Sequence, residues 1–254
     1  MLTIKKLTKT FERQNKQFDA VHEANLHLEK GDFAVLTGPS GCGKSTLFHL
    51  ICGLTKADNG SIFFGKDDLC QLTDKELTQL RAEKISYILQ GDSLLPNFTV
   101  LENICLPHYL SGISKDLEEN GMKLLRHFGL EAMAQDYPTH LSGGERRRLE
   151  IARCLIREPR FVLLDEPFAG IDPIAVGDIQ ELIRGLKDRG IGVLISDHNV
   201  RETLSICDRA YLMFQGNIIL SGTADEIVNN ERGNAFIITG PTSRTNIEIV
   251  ASPK

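Results

Sequence analysis

Near the start of the chain the apolar residues alternate with polar ones: Leu2, Ile4 and Leu7, then Ala24, Leu26 and Leu28. Period-two spacing of this kind predicts antiparallel strands with one solvated face. An unbroken apolar run from Phe33 to Leu36 follows, then a glycine-rich turn, then Leu47, Phe48, Leu50 and Ile51 at helical spacing. That order reads strand, loop, helix. Three later runs, Ile85–Leu89, Phe161–Leu164 and Ile191–Ile195, are short, uniformly apolar and rich in β-branched residues. Such runs suit parallel strands covered on both faces. Ile179, Leu182, Ile183 and Leu186 mark an amphipathic crossover helix between the last two. The alternation predicts an α/β fold built on a largely parallel sheet, with an antiparallel β portion at the N-terminus. Residues 92–150 interrupt it with Pro96, Pro107 and Pro138, helical patches at Val100–Leu106 and Gly121–Phe128, and no convincing strand. They read as a mostly helical insertion. Farther on, Tyr211–Phe214 and Ile218–Leu220 flank Gln215-Gly216-Asn217, a hairpin signature, and Thr223 is placed to cap a short helix containing Ile227. No internal repeat is present.

Composition narrows the class. With 41% hydrophobic and 25% charged residues, the chain is neither disordered nor fibrous. No stretch approaches the roughly 18–20 apolar residues that span a bilayer. The opening MLTIKKLTKTFERQ lacks the apolar core of a signal peptide, so the expectation is a cytosolic chain whose membrane role would need a partner. A net charge of −5, from 29 basic and 34 acidic residues, disfavours nucleic acid as a ligand. Cys42, Cys52, Cys70, Cys105, Cys154 and Cys207 form no C-x-x-C pair and read as reduced core or lining residues.

The chemistry concentrates in a few segments. Gly38-Pro39-Ser40-Gly41-Cys42-Gly43-Lys44-Ser45 fits G-x-x-x-x-G-K-[ST], a loop whose backbone N–H groups curl around phosphate. The helix that follows aims its N-terminus at the same anion. Lys44 is placed to reach the β- and γ-phosphates, and Ser45 to coordinate Mg²⁺. The strand Phe161–Leu164 ends in Asp165 and Glu166. In a parallel sheet, ligands sit beyond the carboxyl ends of strands, so Asp165 can hold Mg²⁺ and Glu166 can polarise a water. The bland alternative for that pair is a helix N-cap. Leu141-Ser142-Gly143-Gly144-Glu145 opens another helix with N–H groups and a hydroxyl suited to an anion, which suggests a nucleotide presented by a second subunit. The run Arg146–Arg148 behind it reads as a solvated face. Gln90 and His198 each follow a predicted strand. The amide of Gln90 suits Mg²⁺ or the attacking water, and the imidazole of His198 suits phosphate and water.

Together these segments resemble the ATP-binding subunits of ABC transporters. The likeness rests on GPSGCGKS, on LSGGE beginning 24 residues before Asp165, on LLDEP, on the FAGIDP turn and on His198 33 residues after Asp165. It spans about residues 1–230 and leaves 231–254 as a tail. It implies a P-loop NTPase (RecA-like) core with an N-terminal antiparallel β subdomain and an inserted helical subdomain. It also implies a head-to-tail homodimer holding two ATP with Mg²⁺. Each ATP would be bound by the loop from Gly38 through Lys44, Ser45 and Thr46 of one copy and by Ser142, Gly143, Gly144 and Glu145 of the other. By the same likeness Phe11 stacks on adenine, with Phe18 as a competing aromatic. Gln90 is the Q-loop residue, Asp172 the D-loop residue and His198 the switch histidine. The usual S-G-L-D turn reads Ala169-Gly170-Ile171-Asp172 here, without the serine.

Two branches of the family are represented. LLPNFTVLENICLP in the first half is similar to lipoprotein-releasing and macrolide-exporter ATPases. LSGGERRRLEIAR, DEPFAGIDPI and LISDHNVRETL are similar to the lipopolysaccharide-export ATPase, and the DEPF-x-G-x-DP turn also to a phospholipid-trafficking one. The resemblance implies an ATPase at the cytoplasmic face of a bacterial inner membrane, powering transmembrane permease subunits that carry lipidic cargo. A cell-division-like ATPase that transmits force without transport is the alternative. Leu94, Leu95, Pro96 and Phe98 are apolar for a loop and suit either a groove for the permease or plain core packing.

Overall fold

The alternating and the uniformly apolar strands segregate into two different sheets. The computed structural model describes residues 1–91, 93–112, 116–197 and 203–230. In chain order, β1 (Leu2–Arg13) and β2 (Lys16–Leu28) form a long hairpin, and β3 (Phe33–Thr37) leads through the glycine-rich loop into α1 (Lys44–Ile51). β4 (Asn59–Phe64) and β5 (Asp67–Asp68) precede α2 (Asp74–Glu83) and β6 (Ile85–Ile88). Three helices come next: α3 (Val100–Leu110), α4 (Leu117–His127) and α5 (Gly143–Leu155). β7 (Phe161–Asp165), α6 (Pro173–Asp188) and β8 (Gly192–Asp197) return to the core. β9 (Arg209–Phe214), β10 (Asn217–Gly222) and a short helix Ala224–Asn229 follow.

One sheet is antiparallel, in the order β2-β1-β4-β5; the other runs β10-β9-β3-β8-β7-β6. In the second sheet every neighbouring pair is parallel except β10 with β9, the predicted hairpin at its edge. Alternate residues of its central strands enter two separate cores. Phe33, Val35, Val162, Leu164, Val193 and Ile195 pack against the side carrying α3–α6, while Ala34, Leu36, Leu163 and Leu194 pack against α1 and the antiparallel sheet. A strand covered on both faces gains nothing from polar residues in either register, which is why these runs are apolar without a break.

The insertion between β6 and β7 is helical as expected and holds no strand among its described residues. Its first helix starts at a capping box in which Thr99 and Glu102 satisfy each other's backbone N–H. The buried Asn103 amide then organises the preceding loop. It accepts from Leu95 N (2.9 Å) and donates to the carbonyls of Leu95, Phe98 and Thr99 (each 3.0 Å). The helix α2 and the strands β4 and β5 are absent from the pattern reading above. The Thr73–Glu76 capping box with Leu77 and Leu80 buried behind it is the signal that marks α2.

Asn103→Leu keeps the residue buried but strands the Leu95 N–H and takes the amide donor from the Phe98 carbonyl, while the Leu95 and Thr99 carbonyls keep backbone donors. At about 1–3 kcal/mol per stranded group, we expect a loss of about 3 kcal/mol in urea unfolding, with an unchanged m-value. A loss below about 1 kcal/mol would mean that the amide does not hold the loop.

Candidate active site

The carboxyl ends of β3, β6, β7 and β8 converge on one rim of the parallel sheet, where the glycine loop, Gln90, Asp165 and Glu166 lie, while Ser142–Glu145, Asp172 and Phe11 belong to other elements. At the end of β3, Gly41 and Gly43 take positive φ (77° and 112°), turning the loop into α1. The loop is fixed from behind. Cys42 N–H donates to Pro39 O (3.2 Å), and Cys42 O accepts from Gly216 N–H (2.9 Å). A Cβ on Gly43 would stand 2.0 Å from Ala20 O, and one on Gly38 would stand 2.2 Å from Met213 O. Backbone therefore packs on backbone at both points. Lys44 is buried and folds back onto its own loop, donating to Gly38 O (2.8 Å) and Pro39 O (3.2 Å). Ser45 and Thr46 occupy the first turn of α1 and are half-buried.

Electrostatics separate this helix start from the others. α2, α3, α5 and the helix Ala224–Asn229 each carry a glutamate three residues in, closing a capping box. α1 has no acidic residue in its first turn and no side-chain cap. Its N–H groups and partial positive charge therefore face the loop without a built-in counter-anion. The thiol of Cys42 takes no charged role there. Burial pushes it up, against a smaller opposing pull from Lys44.

Asp165 ends β7 at 2% exposure. It accepts a hydrogen bond from the Ser196 hydroxyl through Oδ1 and one from the Tyr87 hydroxyl through Oδ2 (3.2 Å). Burial, with the Asp165 charge beside it, pushes the Tyr87 phenol up and keeps it a donor. Neither Tyr87 nor Ser196 was singled out above. Ser196, at the residue before Asp197 on β8, stood beside a segment already marked for its histidine, whereas Tyr87 lies inside an apolar strand and gives no signal. Glu166 follows in the left-handed region (φ 47°). Its N–H donates to Ser196 O (2.9 Å), and its Oε2 accepts from the Gln90 amide (2.8 Å). The chain turns after Glu166 instead of starting a helix, so the N-cap alternative for this pair is excluded. Gln90 lies two residues past the end of β6 and is exposed. His198 lies outside the described residues.

At the start of α5 the Ser142 hydroxyl and N–H both donate to Glu145 (2.8 Å each), while Ser142 Oγ accepts from Glu145 N (3.3 Å). Those bonds hold the Glu145 carboxylate below its ordinary range. The Arg146–Arg148 run is not a solvated face. Arg147 is buried at 6% exposure and pairs with buried Glu150 (2.7 Å), Arg148 donates to Phe128 O (3.2 Å) and Arg146 to Leu141 O (3.1 Å). Carbonyls and a carboxylate inside the helical insertion draw the guanidinium groups inward, a partnership that a run of like charges does not reveal. Asp172 caps α6 through Ile174 N–H (2.8 Å) and is exposed. Phe11 and Phe18 face each other near the tip of the β1–β2 hairpin, ring centroids 6.2 Å apart and both exposed, so neither is favoured over the other. All six cysteines are free. Cys70 is exposed, contrary to the expectation that every one lies in a core or lining. Leu94 is buried in the core, so the packing alternative holds for it, whereas Leu95 and Phe98 are exposed.

The two loop glycines separate packing from conformation. In Gly43→Ala a Cβ must displace the Ala20 carbonyl, so we expect loss of nucleotide binding together with a lower Tm. In Gly41→Ala (φ 77°, nothing within 4 Å of the new Cβ) only the left-handed strain of about 1–2 kcal/mol is added. Isothermal titration and thermal unfolding of both variants test the contrast; equal behaviour would refute it.

Comparison with known proteins agrees with this geometry. The family model described as ABC transporter matches residues 21–169. The lipopolysaccharide export system ATP-binding protein LptB of Haemophilus influenzae is 40% identical over 237 residues, covering 91% of this chain and 94% of its own length. LptB of Escherichia coli K12 is 40% identical over 236 residues, with 91% and 93% covered. Among solved structures, the dimeric bacterial ABC transporter cassette MJ0796 aligns with a TM-score of 0.80 at 29% identity, covering 88% of this chain and 99% of that one. The protein belongs to the ABC transporter family, as an ATP-binding subunit that hydrolyses ATP to power transport.

Proposed function

We propose that the chain powers the movement of a lipidic cargo, lipopolysaccharide or a related lipid, by closing and reopening a head-to-tail homodimer around two ATP. The observation that carries the hydrolytic part is the 2.8 Å contact between the Gln90 amide and the Glu166 carboxylate, which brings together two residues 76 apart in sequence at the rim beside the phosphate loop. The cargo class rests on likeness to LptB through 91% of the chain. The dimeric cassette of the same fold supports the paired arrangement. The partners are transmembrane permease subunits at the cytoplasmic face of a bacterial inner membrane. Among the described residues no helix is long and apolar enough to cross a membrane, so the path for cargo would lie in those subunits.

In this reading the loop from Gly38 to Thr46 wraps the ATP phosphates with backbone N–H groups, and Lys44 exchanges its carbonyl partners for phosphate oxygens. Phe11, or Phe18 opposite it, covers the adenine. Ser142, Gly143, Gly144 and Glu145 of the second copy close over the γ-phosphate, with Asp172 beside them. The donor set also fits Mg²⁺. Asp165 is a buried carboxylate whose protein partners are hydroxyls, and no cation pairs with it among the described residues. A buried charge in that state is costly unless compensated. Ser45 and Asp165, with Gln90, would hold the ion, which neutralises charge on the β- and γ-oxygens when bound. Glu166 accepts the proton of the attacking water, Gln90 orients the Glu166 carboxylate, and His198 hydrogen-bonds the γ-phosphate.

Lys44→Ala removes the loop's side-chain cation and should abolish ATP binding in equilibrium dialysis; unchanged affinity would refute the loop assignment. Glu166→Gln keeps size but removes the basic oxygen, so turnover should fall about 10²–10⁴-fold with ATP still bound. That variant should elute as a dimer with ATP and as a monomer with ADP. An inactive variant that stays monomeric with ATP would make dimer closure depend on the permease. Leu95→Glu should weaken permease co-purification with basal ATPase intact; full retention of the permease would remove the exposed Leu95–Phe98 segment from the interface.

A further inference from the structure

We propose that Arg147 is a positioning residue for hydrolysis: its guanidinium clasps the main-chain carbonyl of Glu166 and so fixes where the Glu166 carboxylate points. The proposal rests on the reading of Glu166 as the base.

Glu166 sits in a backbone conformation that a residue with a side chain rarely adopts, φ 47°. Such a conformation persists only where the surroundings impose it. Two clamps do so. On one side the Glu166 N–H donates to Ser196 O (2.9 Å), which ties it to β8. On the other side the Glu166 carbonyl accepts from the Ala169 N–H of its own turn (3.1 Å) and from Arg147 Nη2 (3.2 Å), which reaches over from α5. With the peptide units on either side of Glu166 both held, one through its N–H and the next through its C=O, the residue between them has little freedom to rotate. The side chain it carries leaves the backbone in one direction, toward Gln90.

Arg147 is itself held with little freedom. Its other arm, Nη1, donates to Glu150 Oε2 (2.7 Å), and both side chains are buried. A planar guanidinium with one arm anchored has its second arm aimed as well. Glu150 Oε1 in turn accepts from Ser93 N–H and from Ser93 Oγ (2.8 Å each). Ser93 lies three residues after Gln90, whose amide touches the Glu166 carboxylate. The base is thus gripped at its backbone by α5 and at its carboxylate by the segment after β6, and the Ser93–Glu150–Arg147 chain joins the two grips. A buried ion pair is weak ground for stability compared with apolar residues of the same volume. What this pair supplies is direction.

The test compares Arg147→Lys, Glu166→Gln and the double variant in single-turnover ATP hydrolysis, with rates expressed per bound nucleotide. Arg147→Lys keeps a cation for Glu150 but lacks the second arm of the fork. We expect its turnover to fall about 10–100-fold, as for a misplaced catalytic group, with KM for ATP within about twofold of the parent. In the Glu166→Gln background the same change should cost less than about twofold, because the placement of an absent base no longer matters. Undiminished turnover in Arg147→Lys overturns the proposal. So does a loss that vanishes once rates are expressed per bound nucleotide, since that marks a purely structural role. A further tenfold loss in the double variant overturns it too, by showing that Arg147 acts through something other than Glu166. Parent-like turnover in Glu166→Gln alone removes the base assignment itself, a failure visible without any Arg147 variant.

Discussion

Covering the parallel sheet on both faces is the constraint on which the rest depends. Once Phe33, Val35, Val162 and Leu164 belong to one core and Ala34, Leu36, Leu163 and Leu194 to the other, polar chemistry has no place along those strands. It is displaced to the strand ends, where the backbone leaves the sheet. The glycine loop after β3, Gln90 after β6, Asp165 and Glu166 at the end of β7 and Ser196 near the end of β8 come from distant parts of the sequence. They meet because parallel strands bring all their carboxyl ends to one side.

The helical insertion is bound to that rim by polar contacts as well as by packing. Arg153 donates to Ser93 O (2.9 Å) and Ser93 Oγ (2.6 Å), Ser93 donates to Glu150, and Arg147 reaches Glu166 O. These side chains all come from α5 or from the segment it touches. The helix whose first residues are proposed to face a second nucleotide therefore also has its middle turns anchored to the sheet rim that carries Glu166. The two ends are joined by one continuous helix of 13 residues.

Much of this could be read in the chain before any coordinates. Period and composition identified the strands of the parallel sheet, because burial on two faces leaves an unmistakable apolar run. Spacing marked the glycine loop and the Asp165–Glu166 pair as candidates, because a loop that grips phosphate needs glycine and lysine at fixed intervals. What escaped was partnership. Arg146, Arg147 and Arg148 look like a charged surface when counted along the chain, and only the fold supplies the carbonyls of Leu141 and Phe128 and the carboxylate of Glu150 that draw them inward. Tyr87 looks like one more strand residue until β6 is laid beside β7 and its hydroxyl meets Asp165. Asn103 is a polar letter in an apolar helix, and its purpose lies in a loop five to eight residues upstream.

The cysteines set the redox character of the molecule. Burial pushes the thiols of Cys52, Cys154 and Cys207 up to about 12 and that of Cys105 to about 11, and it raises Cys42 in the heart of the phosphate loop despite the neighbouring Lys44. Only the thiolate attacks oxidants and alkylating agents, so burial lowers the reactivity of these sulfurs at neutral pH. A cysteine in a nucleotide loop would otherwise tie ATP binding to the surrounding supply of peroxide and glutathione. With its proton held on by burial, the Cys42 thiol meets that supply as a weaker nucleophile than an exposed cysteine would be at the same place in the loop.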